Sequence, residues 1–413
     1  MKTKMKFMTW LMFVLVMMTA LGVYSNAAAA SEITITSQMM NIGADETERN
    51  LVWYATCNAK AYVMYGKAGE PLDKMAPAVC SDTITLGLYS YKATLTGLEP
   101  GAWTYHLVVD ETVFEDYTFH VYDTSEKVTF AFVSDPQVAT AAHGASWTDT
   151  VEKIKANFSD VSFIVSAGDQ VDNSTDEWGY IRFASPEIKT LAISPTVGIF
   201  HDTSPLYASH YNLPNLSPDY GASNTSSNYY YKYANILFMH LNAESTAYTE
   251  HSKFVKKAIE ENPDCLWRVV VIHYSFFSGG AHSQEWGVVA ARKALAGAFN
   301  KLGVDIVLSG HDHTYVRSKL MLNARTVSSD VVTDNTVTDP EGTLYLCGMG
   351  ASLCKFYDEY YENDAEFFAY RNDANRKGAV IFEVTDTSLS FKSYFLDRRK
   401  PNLIDSFTIN KTK

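Results

Sequence analysis

Cysteine is scarce in this 413-residue sequence, with five residues at Cys57, Cys80, Cys265, Cys347 and Cys354. That is too few for a disulfide framework, and the lack of any C-x-x-C pair removes the usual signature of structural zinc. An oxidising compartment would allow Cys57 to pair with Cys80, or Cys347 with Cys354, and buried free thiols are the equal alternative. Cations are also in short supply: 34 Lys and Arg against 47 Asp and Glu leave a net charge of -13. Such a surface repels duplex nucleic acid on average, although a cation-lined pocket can still accept one phosphate group. A Walker loop, a dinucleotide-type glycine fingerprint and an evident Ser-His-Asp order are all missing, which disfavours nucleotide-driven and acyl-transfer chemistry.

What is present begins with Lys2, Lys4 and Lys6, an apolar run from Met8 to Val23, and the small residues Ser25 to Ala30. That order predicts a signal peptide over residues 1–30 and a secreted or extracytoplasmic protein. The run covers about 16 residues, short of the roughly 20 that a spanning helix needs, and no later run is long enough, so no stable membrane span is expected. Removal of the segment takes three lysines and no acid, leaving a charge of about -16.

Residues 31–124 read as a small all-β domain, with short apolar pieces such as Leu51–Tyr54, Ala61–Tyr65 and Tyr105–Val109 between Gly, Pro and Asp. After Asp123-Thr124 the pattern changes to strand, loop and helix in alternation, so 125–413 reads as an α/β domain. Strands are predicted at Val128–Val133, Phe163–Ser166, Ile236–Met239, Val269–Ile272 and Ile306–Leu308. Trp147, Val151, Ile154 and Phe158 mark one face of a helix, and further helices are expected near Glu250–Asn262 and Gly287–Leu302.

Chemistry is placed at the strand ends. Asp135 follows Val133 by two residues, Asp169 follows Ser166 through Ala167-Gly168, His273 directly follows Ile272, and Gly310-His311-Asp312-His313 follows Leu308. The carboxyl ends of strands in an α/β sheet form the crevice where ligands bind, so residues far apart in sequence can converge there. Oxygen and imidazole without thiolate suit zinc, manganese or iron. Two ions are the economical arrangement, because a carboxylate can bridge them and together they can activate water and clamp a phosphoryl oxygen.

In order, the blocks are Ser134-Asp135-Pro136-Gln137, Gly168-Asp169-Gln170-Val171-Asp172-Asn173, Gly198-Ile199-Phe200-His201-Asp202, Val271-Ile272-His273 and Gly310-His311-Asp312-His313. This series resembles the calcineurin-like metallophosphoesterases, and with the β-rich N-terminus it resembles the purple acid phosphatase-like branch with a fibronectin type III-like domain. The resemblance implies a metallophosphoesterase β-sandwich flanked by helices. It also implies hydrolysis of small-molecule phosphate esters by a metal-activated hydroxide, with two divalent or mixed-valence ions of iron, zinc or manganese. Asp135, Asp169 and His313 would hold one ion, and Asp169, His273 and His311 the other, with Asp169 as the bridge.

Gln137 stands where many relatives have a His ligand, and it either binds an ion through its amide oxygen or hydrogen-bonds a ligand. Asp172 replaces the tyrosine whose bond to ferric iron gives purple acid phosphatases their colour, so a purple protein is not expected. Beside Asn173 it reads as a loop residue, with a ligand role as the alternative. The third block departs from the family's G-N-H-D: it is one residue longer and lacks the Asn ligand. His201 matches the family histidine near the leaving group and is the expected general acid.

That departure keeps two other readings open: a catalytically impaired, secreted protein that binds phosphate ligands, or a phosphodiesterase or nucleotidase. Elsewhere, His282 reads as an exposed loop histidine or a substrate contact, His240 as a satisfied core histidine, and Tyr357–Glu362 as a solvated face or a cleft rim.

Overall fold

Strands buried at every position need cover on both faces, and among the described residues these include Val128–Val133, Phe163–Ser166 and Ile306–Ser309. The computed structural model describes residues 32–327, 332–357 and 366–412. The predicted signal peptide lies outside the described residues, as does all of Tyr357–Glu362 except Tyr357.

Two large sheets build the molecule. The first has eleven strands. Val128–Val133, Phe163–Ser166 and Ala192–Pro195 run parallel at its centre. On one side follow the antiparallel strands Gly378–Val384, Ser388–Phe395 and Asn402–Asn410. On the other, Ile35–Ile42 joins Ala192–Pro195 in parallel through Asn41 and Ile193, and Arg49–Ala55 and Tyr89–Leu95 continue outward. The sheet therefore crosses the change of sequence pattern near residue 124, and Ile35–Lys413 forms one compact unit.

The second sheet has seven strands, with Ile236–Leu241, Trp267–Ile272, Ile306–Ser309 and Leu344–Cys347 parallel in its middle. Aromatic rings fill the space between the sheets. Phe130 stacks on Phe163 and Phe382 and meets Phe238 of the opposite sheet edge-on at 5.1 Å. Such contacts combine large apolar burial with favourable ring geometry.

Helices Tyr248–Glu261 and Trp286–Lys301 cover the outer face of the second sheet. Phe254, Val255, Ala258, Val288, Ala291, Leu295 and Phe299 form one core with Leu237, Met239, Val270 and Ile272. The helix Ala141–Asn157 is capped by Thr140 and buries Trp147, Val151 and Ile154 at helical spacing. Phe158, predicted as its last apolar contact, is the residue at which the helix stops. The outcome is the expected α/β sandwich flanked by helices. All five cysteines are free thiols, so neither possible pairing is made.

Candidate metal centre

Three of the loops that follow the inner parallel strands turn sharply, and their backbones show it. Asp135, Gln137, Asp169, His311 and His313 all have positive φ, between 39° and 75°. Left-handed backbone costs a non-glycine residue roughly 1–2 kcal/mol, and such strain concentrates where function over-determines the geometry. Two glycines permit the close approach of the loops. A Cβ on Gly198 would lie 2.0 Å from Asp169 Oδ1, and one on Gly310 would lie 2.4 Å from Asp135 Oδ2.

These turns bring all seven sequence-predicted residues together. Asp135 lies between His313, whose Nε2 is 3.3 Å from Oδ1, and His273, whose Nε2 is 3.9 Å away. Both oxygens of Asp135 also accept the backbone N–H of His311. Asp169 Oδ2 is 3.3 Å from His273 Nε2 and 3.9 Å from His201 Nε2. Asp169, His273 and His311 can bring one donor atom each within the reach of a single ion.

Two ligand-capable atoms here are buried without a hydrogen-bond partner: His273 Nε2 and Gln137 Oε1. Buried polar atoms are rarely left unpaired, and in a cluster of imidazole and carboxylate a cation is the fitting partner. Backbone carbonyls fix the rings with their other nitrogens outward: Ala167 O bonds His273 Nδ1, and Lys355 O bonds His313 Nδ1. Gln137 Nε2 donates to Asp169 Oδ2, which is the hydrogen-bonding half of the alternative, while Oε1 has no hydrogen-bond partner.

Electrostatics agree with a site built for positive charge. Burial alone would raise the Asp135 and Asp169 carboxyls, but the imidazoles of His313 and His273 hold both below their usual range. Burial would lower His273, yet Asp169 and Asp135 push it up to about 10. His311 goes the other way, lowered by burial and by His273.

In the third block, Ile199 donates its N–H to Asp169 Oδ1 and buries its side chain in the core of the second sheet. Phe200 has φ 58° and is 74 % exposed. Neither side chain offers a donor atom. His201 Nδ1 bonds the carbonyl of Asp172, which leaves Nε2 facing Asp169. Asp172 itself pairs with Lys355.

Three functional groups escaped sequence reasoning. Asp202 is fully buried and accepts backbone N–H groups from Gly198, Asp169 and Gln170. Burial, then the charge of Asp169, pushes it up to about 8. Glu285, just before a helix, sets its oxygens against His282 Nδ1 and His311 Nε2. His311 is the main cause holding Glu285 down to about 2. Asp312 accepts from Ser275 Oγ and from the backbone of His282, tying the loop of His282 beneath the GHDH turn. His282 stacks on His311 at 4.5 Å, so it belongs to the centre rather than to a free loop. Tyr357 packs edge-on against His282 and His313. His240, by contrast, is a core residue with one nitrogen on Thr196 and the other unpartnered, so it is only half satisfied.

Comparison with known proteins places this arrangement. Residues 128–315 match the family model for the calcineurin-like phosphoesterases. The purple acid phosphatase PPD1 from yellow lupin (Lupinus luteus) seeds has a similar structure, with TM-score 0.75 and 16% identity over 92% of this chain and 74% of that one. A structure of PhoD is similar with TM-score 0.58 and 12% identity, over 90% of this chain and 89% of the other. At these identities the likeness is one of fold. No curated protein sequence matches the chain.

Proposed function

We propose that the protein is an exported two-ion phosphoesterase that hydrolyses small-molecule phosphate esters. The observation that carries this reading is the convergence of Asp135 with His313, and of Asp169 with His273, at the ends of parallel strands. Asp135, Asp169 and His313 would hold one ion, and Asp169, His273 and His311 the second. When bound, the ions supply charge that lowers the pKa of water and offsets the phosphoryl oxygens.

The chain's own residues supply position and protons. Ala167 and Lys355 carbonyls keep His273 and His313 from rotating, and Asp202 fixes the loop of Asp169. His201, anchored through Nδ1, presents Nε2 toward the centre. As an imidazolium, it passes its Nε2 proton to the departing oxygen as the P–O bond breaks. The N-terminal β region is proposed as a fibronectin type III-like domain, and the order of lysines, apolar run and small residues over residues 1–30 supports export.

Turnover of an aryl phosphate that depends on added metal, together with two ions per chain, is the expected result. A metal-bound protein without turnover would instead support a binding protein, a reading favoured by the donor-free Ile199-Phe200 pair. Comparison of monoester with diester substrates separates a phosphatase from a phosphodiesterase or nucleotidase. Fractionation of the producing cells tests export.

A further inference from the structure

Closely paired histidines and carboxylates in this protein fall into two sets by distance. His106 and Asp116 are 2.9 Å apart, His210 and Glu177 2.7 Å, and His282 and Glu285 2.6 Å. Those are charge-assisted hydrogen bonds. Inside the centre, His313 and Asp135 are 3.3 Å apart, and so are His273 and Asp169. Two donors each about 2.1 Å from one tetrahedral ion stand roughly 3.4 Å apart, so the second set has the spacing of neighbouring ligands.

His311 Nε2 and Glu285 Oε2 form a third pair at 3.2 Å, within hydrogen-bond reach and close to that ligand spacing. His282, Glu285 and His311 can bring one donor atom each within reach of a single ion, and His311 is shared with the group of Asp169 and His273. Glu285 occupies the cap position of the helix Trp286–Lys301, yet its side chain makes no capping bond. Its two oxygens are turned to the imidazoles instead. In the third block nearby, Ile199 is packed in the core and Phe200 faces solvent, so neither supplies a donor in place of the family's Asn.

We propose that Glu285 is a ligand of the second ion, its Oε2 supplying the donor that the altered third block lacks, while His282 holds Oε1 in place. This rests on the two-ion reading above. Loss of a group that only orients a ligand costs about 10–100-fold in metal affinity, and loss of a ligand should cost more.

The test is titration of Co2+ into the full-length, chelator-stripped protein, followed by visible absorbance. Wild type should take up two ions. Glu285→Gln should keep the first ion at wild-type affinity and weaken the second by more than about 100-fold, while His282→Ala should weaken it within the 10–100-fold range. Glu285→Asp, which withdraws the carboxylate from His311, should behave like Glu285→Gln. Glu285 is partly exposed, so these variants should fold, with metal-free melting points slightly below that of wild type because the pairing of Glu285 with His282 and His311 is weakened. Binding of the second ion to Glu285→Gln within 100-fold of wild type would overturn the ligand role and leave the two-ion centre standing. Failure of the wild type to bind Co2+ would overturn both.

Discussion

Asp202 accepts the backbone N–H of Asp169 at 2.8 Å, so the acid that closes the altered third block holds the turn carrying the proposed bridging carboxylate. It also takes N–H groups from Gly198 and Gln170. Above about pH 8, where the Asp202 carboxyl is ionised and acceptor-only, an amide in its place has one acceptor oxygen and sets an N–H2 against a backbone donor. Asp202→Asn should therefore lower stability by about 1–3 kcal/mol, the cost of a buried donor left unmatched. Urea denaturation checks this, and an unchanged midpoint would show that the three bonds do not hold the loop.

Asp169→Asn removes a charge from the point where His273, His201 and Gln137 meet. Turnover of an aryl phosphate should fall by more than about 100-fold, beyond what a 1 Å misplacement causes. Bound metal should fall with it. Activity retained at the wild-type level would refute the centre itself.

Much of this centre was legible because each residue follows a short apolar strand, as His273 follows Ile272, and parallel strands deliver their ends to one edge. Glu285 gave no such signal. Before a helix an acid reads as a favourable helix-start residue, and only the fold sets it against His311. Asp202 was visible as part of a block, but its role depends on backbone N–H groups, which leave no mark in side-chain identity. The contribution of Ile35–Ile42 to the first sheet was equally hidden, because its parallel pairing of Asn41 with Ile193 is long-range. A β-rich pattern reports the strand and not its partner.

Acid sensitivity should appear away from the centre. Asp149 is drawn below its ordinary pKa, since Lys153 and Lys377 outweigh the effect of burial. A depressed carboxyl contributes stability above the unfolded value of 3.8 and loses it as pH falls through the folded value. The side chain is 43% exposed, so after screening the contribution is about 1 kcal/mol or less. Asp149→Asn should flatten the fall in stability below pH 4 by that amount, as read from unfolding at several pH values. An unaltered acid limb would mean that the two lysines do not act through Asp149.

The third block offers the most direct test of whether donor supply limits this protein. Replacing Ile199-Phe200 with a single Asn shortens the turn to the family length and adds an amide oxygen beside Asp169. The change also removes Ile199 from the core of the second sheet, where it is 5% exposed. Loss of that buried side chain should cost about 2–4 kcal/mol. Removal of Phe200 relieves a left-handed residue and returns roughly 1 kcal/mol. The variant should thus be less stable than wild type and bind the second ion more tightly, with higher turnover at limiting metal. If metal binding tightens without a gain in turnover, the ion was not limiting and the position of His201 becomes the constraint. If neither changes, the existing set, with Glu285, already satisfies the second ion.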